Sequence, residues 1–246
     1  MKLLVCINKT PETTAKIAFS DGNTKFVTDG VQYIMNPYDE WYALVRALEL
    51  KEANGGTVTV LNVGSASNDI IIRKGLALGA DDAVRIDIDV SNAYQASKQI
   101  AEYAKDQGYD MIFFGKESID YNGSEVGAMV AEMLDMPFLS YVSHLEYQNG
   151  AAKVSRDIEG GVEVSEVSGP FVLSAAKGLA EQRIANMKGI MMSKRKPLNV
   201  VAPVEVSNPV EVVAYEVPEG KSGVKMIDPD NMAELVRLLH EEAKVI

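Results

Sequence analysis

The sequence is poor in the residues that carry chemistry by themselves. It has one cysteine, Cys6, in 246 residues, so no intrachain disulfide can form and a reducing compartment fits. It has two histidines, His144 and His240. Neither has a metal-ligating partner at useful spacing, so both are expected to be structural or surface residues, and no metal is expected. The patterns GxSxG and HExxH do not occur, nor do the P-loop GxxxxGK[ST] and the GxGxxG fingerprint. No catalytic residue is therefore expected. Positive charge is scarce: 24 Lys and Arg stand against 35 Asp and Glu, a formal net charge of −11 with a pI of about 4.8. Such a surface repels nucleic acid and anionic membranes, and neither is expected as a partner. No apolar run approaches the roughly 20 residues of a membrane-spanning helix. The N-terminal run Leu3-Leu4-Val5-Cys6-Ile7 is too short for a secretory h-region. These features predict a cytoplasmic, bacterial location or the mature form of an organellar protein.

What is present is the composition of a globular protein, with 47% hydrophobic and 24% charged residues. The length suits one large α/β domain or two small ones. Short apolar runs alternate with helical patterns over the first two thirds of the chain. Strands are expected at Lys2–Ile7, Thr57–Val63, Ala83–Ile88 and Met111–Phe114. Helices are expected near Glu40–Glu52, where Trp41, Leu44, Val45 and Leu48 share a face, and at Asp69–Leu78, Ala93–Lys105 and Ser124–Met136. Glycines 55–56, 79 and 108 close three of these helices. The alternation predicts an open, mostly parallel sheet with right-handed crossovers. Ala18–Val27 reads as a small hairpin around Ser20-Asp21-Gly22-Asn23.

The pattern changes near Pro137. Val142–Tyr147, Ala152–Ile158 and Val162–Val167 read as antiparallel strands, with a tight turn at Glu159-Gly160-Gly161, and Phe171–Ala175 returns to the main sheet. Lys177–Lys196 is a polar, basic excursion and Pro197–Pro218 an extended arm. Asp228-Pro229 predicts the start of a last helix, with Asp at the N-cap and Met232, Leu235, Val236 and Leu239 as its stripe. The domain expectation is a nucleotide-binding α/β unit over 1–196 and an arm plus helix over 197–246. That arm and helix would dock on a partner or on their own domain.

In an open parallel sheet ligands bind beyond the C-terminal strand ends, where the strand order reverses. Four segments qualify here: Cys6–Thr10, Asn36–Asp39, Val63-Gly64-Ser65 and Gly115–Gly127. The last combines small residues, a hydroxyl and the free N–H groups of a helix start, which favour an anion. It reads equally as an ordinary loop with Ser124 as N-cap. The basic segment that follows Arg183 reads as a solvated loop or as a docking element.

Three ordered stretches resemble the beta subunit of electron transfer flavoprotein. The first is Asp29-Gly30-Val31 through Met35-Asn36-Pro37-Tyr38-Asp39-Glu40. The second is Gly115-Lys116-Glu117-Ser118-Ile119-Asp120 with Ser124–Gly127. The third is Val154–Glu163, then Glu181–Met191, then Lys194-Arg195-Lys196. The resemblance implies an adenine nucleotide alpha hydrolase-like fold and a heterodimer whose FAD lies mainly in the alpha partner. It also implies AMP in this chain's own pocket, or a second FAD in the electron-bifurcating class with NADH as donor. It places the adenine near Cys6, Asn36, Pro37, Tyr38, Asp39 and Val63. The phosphate falls at Gly123, Ser124, Glu125, Val126 and Gly127, with Gly115 and Asp120 in the same loop. It assigns Arg183, Met187, Ile190, Met191, Lys194 and Arg195 to recognition of flavin dehydrogenases such as acyl-CoA dehydrogenases, with Met187 as the apolar anchor. A quinone oxidoreductase would accept the electrons. Asp157 falls at an acidic position tied to domain motion of the alpha chain. Glu117 and Glu125 stand where the mitochondrial type has Gln, and Val126 where it has Thr. A universal-stress-type ATP-binding regulatory domain shares the sheet pattern but would lack the hairpin, the basic loop and the arm.

Overall fold

Lys2–Cys6 (β1) is apolar without alternation because both of its faces are covered: Leu3, Leu4 and Val5 are each fully buried. The computed structural model describes residues 1–37, 39–220 and 223–246. In it β1 is the middle of a seven-stranded sheet. Chain order brings first the short strands β2 (Lys9–Pro11), β3 (Phe19–Ser20), β4 (Lys25–Phe26) and β5 (Tyr33–Met35), then helix α1 (Asp39–Asn54). β2 pairs with β5, and β3 with β4, both antiparallel. Next come β6 (Thr57–Val63), α2 (Asp69–Leu78), β7 (Asp82–Ile86), α3 (Ala93–Ala104), β8 (Met111–Gly115) and α4 (Val126–Met133). β9 (Phe138–Val142), β10 (His144–Gln148), β11 (Ala151–Ile158), β12 (Gly161–Ser168) and β13 (Phe171–Ala175) follow. The chain continues through α5 (Met187–Ser193), β14 (Leu198–Val201) and α6 (Met232–Arg237), which widens into a looser turn at Leu238–Glu242.

The large sheet runs β14-β7-β6-β1-β8-β13-β9, and every pairing in it is parallel. Period two along each strand sends alternate side chains to opposite faces. Leu3, Val5, Val58 and Val60 meet α1 and α2 on one side. Leu4, Cys6, Leu61, Ile112 and Phe114 meet α3 and α4 on the other. β10, β11 and β12 form a separate antiparallel sheet.

The expected strands and helices of the first two thirds are present within a few residues of their predicted ends. The hairpin at Phe19–Phe26 and the return of Phe171–Ala175 to the main sheet are present too. Five features differ. Val142 ends β9, a strand of the main sheet, and does not open the antiparallel set. The arm is not free from residue 197: Leu198–Val201 pairs with β7 and forms one edge of the large sheet. A helix, α5, lies inside the basic excursion. Helix α4 opens at Val126, because Ser124 adopts a left-handed φ of 54° and Glu125 takes the cap position. The last helix opens at Met232 with Asn231 as N-cap, its side chain accepting from the Glu234 N–H. Asp228 instead caps a turn, accepting from Asp230 N–H at 3.0 Å.

Candidate functional site

Strand order reverses at β1, since the chain builds outward through β6 and β7 and then crosses to β8 on the other side. A cleft of about 1030 Å³ opens at that reversal, at the top of the roughly 300–1,000 Å³ range of small-molecule pockets. Its apolar floor comes from strand ends: Cys6 and Ile7 of β1, Leu61 and Val63 of β6, and Phe114 of β8. Ala93, Ala96 and Ile100 of α3 make one side wall, and Gly115–Gly127 the other. Arg85 fastens the rim of the β6 side. Its buried guanidinium donates to Asp69 Oδ1 at 2.8 Å and to the Gly64 carbonyl at 3.0 Å.

The Gly115–Gly127 wall is built around backbone amides. Asn122 and Ser124 both have left-handed φ, 51° and 54°, a turn of the kind that makes N–H groups converge. No side chain caps the first turn of α4, whose leading residues Val126 and Gly127 line the cleft, so its first amides have no protein side chain as partner. Gly127 lets the helix approach the sheet: a Cβ there would lie 3.1 Å from the Phe138 ring. Ser124 Oγ accepts from the Tyr141 hydroxyl at 3.3 Å. Tyr141 itself has φ 56° and its N–H donates to Ser174 Oγ at 2.9 Å.

The expected residues separate into two groups. Cys6, Val63, Gly115, Asp120, Gly123, Ser124, Glu125, Val126 and Gly127 all line the cleft. Asn36, Pro37 and Asp39 do not; they form a shelf beneath the loop. Asn36 is fully buried and its Nδ2 donates to the Glu117 carbonyl at 2.7 Å. The Pro37 carbonyl accepts from Gln182 Nε2 at 3.0 Å. Burial pushes the Asp39 carboxyl up to about 6, with Lys116 pulling it down and Glu117 pushing it up. Tyr38 lies outside the described residues.

Sequence reasoning missed Glu40, which was legible only as the last letter of the Asn36–Glu40 motif. It sits in the first turn of α1 and reaches the cleft floor. Asn8 N–H donates to its Oε2 at 2.8 Å. Turned with its nitrogen toward Glu40, the Asn8 carboxamide also donates to Oε1 at 2.6 Å and accepts from Ser118 Oγ at 2.7 Å. Burial drives the Glu40 carboxyl well above the ordinary carboxylate range. Burial, and then Glu40, push the Cys6 thiol up as well. The two lysines of the cleft are both engaged. Lys9 Nζ donates to Ser67 Oγ at 2.7 Å and lies over the Tyr33 ring, while Lys116 Nζ lies 3.3 Å from Glu117 Oε1. An anion here would be held chiefly by backbone N–H groups.

The basic excursion is anchored at several points. Arg73 Nη1 donates to the carbonyls of Ser193 at 2.6 Å and Lys196 at 2.7 Å. Lys196 Nζ donates back to the Leu76 carbonyl at 3.0 Å and the Ala80 carbonyl at 2.5 Å. Lys196 is thus a bolt onto α2 and the turn that follows it. Arg183 is likewise occupied: its guanidinium donates in a fork to Glu52 at 2.7 and 2.8 Å, and its carbonyl accepts from Trp41 Nε1 at 3.0 Å. It therefore roots the loop on α1. Met187, Ile190 and Met191 project outward, at 74%, 44% and 68% exposed, flanked by exposed Lys194 and Arg195. His144 and His240 are exposed, and Asp157 is exposed near the end of β11. No cluster of metal-ligating side chains occurs among the described residues. No helix among them is long and apolar enough to cross a membrane.

The family model described as the electron transfer flavoprotein domain matches residues 23–206. The electron transfer flavoprotein subunit beta of Bacillus subtilis is 36% identical, with both chains covered in full. The protein of that name from Syntrophomonas wolfei is 34% identical over 93% of this chain and 90% of its own. That from Bradyrhizobium diazoefficiens is 32% identical over the whole of both. With the strand-end cleft, the uncapped amide loop and full-length similarity to relatives of that name, this chain belongs to the electron transfer flavoprotein family, as a beta subunit.

Proposed function

We propose that the chain works as the beta half of a heterodimeric electron carrier, holding AMP in the strand-end cleft and helping an alpha subunit to form the FAD site. FAD, held mainly by the alpha partner, supplies the redox chemistry when bound. Electrons would come from acyl-CoA and related flavin dehydrogenases and leave to a quinone oxidoreductase, in the bacterial cytoplasm. No residue of this chain need be catalytic. The observation that carries the reading is the amide-lined Gly123–Gly127 turn, uncapped by any side chain at the head of α4, beside an apolar floor. The amides would take the phosphate, and Cys6, Leu61 and Val63 the adenine. On the far side, Met187 would enter an apolar pocket of the dehydrogenase, where a pliant thioether tolerates varied partners. Lys194 and Arg195 would steer the approach on an otherwise acidic protein.

A second reading has a specific support. A cleft of about 1030 Å³ has room for a dinucleotide, as a bifurcating complex with a second FAD and NADH as donor would need. The universal-stress-type alternative is set aside, because the chain carries the antiparallel sheet, the anchored basic loop and the arm that such a domain would lack. The test is to purify the native complex, release its ligands with acid, and quantify FAD and AMP per chain pair. One of each supports the ordinary carrier. Two FAD and no AMP selects the second reading, and no nucleotide overturns both.

A further inference from the structure

The nucleotide cleft has an outer wall that neither the sheet nor the helices provide. Beyond β14 the chain leaves the sheet edge and runs extended across the cleft mouth, and Asn208, Val210, Glu211, Val212 and Tyr215 bound the cavity. An extended segment on a surface has little to hold it in one path, yet this one is fastened on both banks. On the α3 bank, Gln99 is 2% exposed. Its side-chain amide donates to the Val204 carbonyl at 2.7 Å and accepts from the Val204 N–H at 2.9 Å, as a neighbouring strand would. Four residues on, the Asn208 side chain accepts from Asn92 Nδ2 at 2.5 Å and donates to Ser91 Oγ at 3.2 Å. On the opposite bank, Tyr215 N–H donates to the Asn23 carbonyl of the β3–β4 turn at 2.7 Å. Its ring stacks on Phe19, with centroids 4.5 Å apart and planes 1° from parallel. Its hydroxyl lies 3.4 Å from that of Tyr121, in the loop that carries the amides.

We propose that Val204–Tyr215 is a strap forming the third wall of the nucleotide site, with Val210 and Val212 contacting the bound base or ring and Gln99 and Tyr215 holding the strap across it. The two valines, on a segment between polar anchors, present aliphatic surface to the cavity, which suits the flat face of a purine. Glu211 beside them repels a phosphate, so the strap covers the base end of the ligand while the α4 amides take the phosphate end. Nucleotide exchange then requires one bank to let go.

This inference rests on the proposed nucleotide occupancy, and the experiment separates the two. In the complete alpha–beta complex, exchange of bound AMP against labelled AMP is timed for the wild type, Gln99→Ala and Tyr215→Ala, with FAD content as the reference for an intact complex. Each variant is expected to exchange at least about tenfold faster, Gln99→Ala by losing the paired hydrogen bonds to Val204 and Tyr215→Ala by losing the ring stack on Phe19. Tyr215→Phe, which keeps the stack and the backbone bond and loses only the long contact to the Tyr121 hydroxyl, should exchange more slowly than Tyr215→Ala. A second measurement needs no variant: cleavage after Glu211 by a glutamate-specific protease should slow at least about tenfold when AMP is added to nucleotide-stripped complex, since cleavage tracks opening. A wild type that holds AMP while both alanine variants exchange at its rate, or a Glu211 cleavage rate indifferent to AMP, overturns the strap alone. A wild type that neither holds nor takes up AMP overturns the proposed occupancy and the strap with it.

Discussion

Gly115 ends β8 where α1 begins to cross the sheet, and the closeness of that crossing gives a sharp expectation. A Cβ at this position would stand 2.9 Å from Glu40 Cγ, 3.0 Å from the Glu40 backbone nitrogen and 3.1 Å from Asp39 Cβ. A backbone atom cannot swing aside as a side-chain tip can, so Gly115→Ala must lift the first turn of α1 by a few tenths of an ångström or bend the end of β8. Overpacking of this kind costs about 1–3 kcal/mol. For a chain of this size that lowers Tm by roughly 2–12 °C, at about 2–4 °C per kcal/mol. The displacement reaches the cleft, because the shelf under the loop and the Glu40 carboxyl that receives Asn8 N–H are carried by the same turn. Calorimetry on the purified complex, with acid-released nucleotide measured in parallel, is therefore expected to show a lower Tm together with lower nucleotide content. Gly161→Ala is the control: an added methyl there would meet nothing within 4 Å, and the backbone has no left-handed φ, so it is expected to stay within about 0.5 kcal/mol of wild type. An alanine at 115 that melts with wild type and keeps its nucleotide would refute the argument that this glycine is required by the close approach of α1.

Other expectations are independent of that one. Asp39, with its folded value raised from the ordinary 3.8 to about 6, binds its proton more tightly in the folded state, so its contribution to stability is present below about pH 4 and is lost as pH rises through about 6. The ceiling on that loss is about 3 kcal/mol for a shift from 3.8 to about 6. Asp39→Asn is expected to flatten the stability profile between about pH 4 and 6, measured by urea unfolding, and an unchanged slope would count against the burial of this carboxyl. Met187→Ala is expected to lower kcat/KM for transfer from an acyl-CoA dehydrogenase by roughly tenfold, the loss typical of an apolar anchor, with normal flavin content; unchanged kinetics would remove Met187 from the docking surface. Cys6, buried and with its thiol pushed up, is expected to stay unlabelled by a disulfide reagent at pH 8 in the native complex and to react fully in guanidinium, and rapid native labelling would contradict the packed floor.

Much of the fold could be read from pattern because the pattern is strong where burial is complete. Thr57–Val63 and Asp69–Leu78 are found with their expected ends, since an unbroken apolar strand and a glycine-closed helix each leave one reasonable boundary. β14 was illegible for the opposite reason. It is four residues long, sits at an edge, and leaves Val200 half exposed, so neither alternation nor continuous burial marks it. β9 was hidden by its irregular register against β13 and by a tyrosine at φ 56°, a conformation that side-chain type does not announce. The cleft wall at Gly115–Gly127 was legible because small residues before a helix have a physical reason to meet an anion. Glu40 was not, because an acid at a helix start reads first as a partner for the dipole, and only the crossing of α1 over β8 shows it turned inward. The strap was least legible of all: the anchors of Val204 and Tyr215 lie about a hundred or more residues away in sequence, at Gln99, Asn23 and Phe19, and no local period records such contacts.

The first turn of α1 and the residues just before it explain how an acidic chain keeps two separate surfaces in register. Asn36 donates to the carbonyl of Glu117 in the nucleotide loop, while the neighbouring Pro37 carbonyl accepts from Gln182 at the root of the basic loop. One turn further, Trp41 donates to the Arg183 carbonyl, and Glu52 near the far end of the same helix takes the Arg183 guanidinium. The nucleotide loop and the loop that presents Met187 are thus both fastened to one helix, which packs tightly enough against β8 that only glycine fits at residue 115. Carboxylates placed there would repel a phosphate if they stayed ionised. Burial acts against that charge, raising the Glu40 carboxyl well above its ordinary value and the Asp39 carboxyl to about 6. In the proposed reading, the backbone amides of Ser124–Gly127, which carry no net charge, would be the group that meets the phosphate. A cationic pocket would have met the same ligand by attraction alone. The AMP proposed for this cleft would be met by geometry, and its binding would depend on the rigidity that α1 confers on both loops at once.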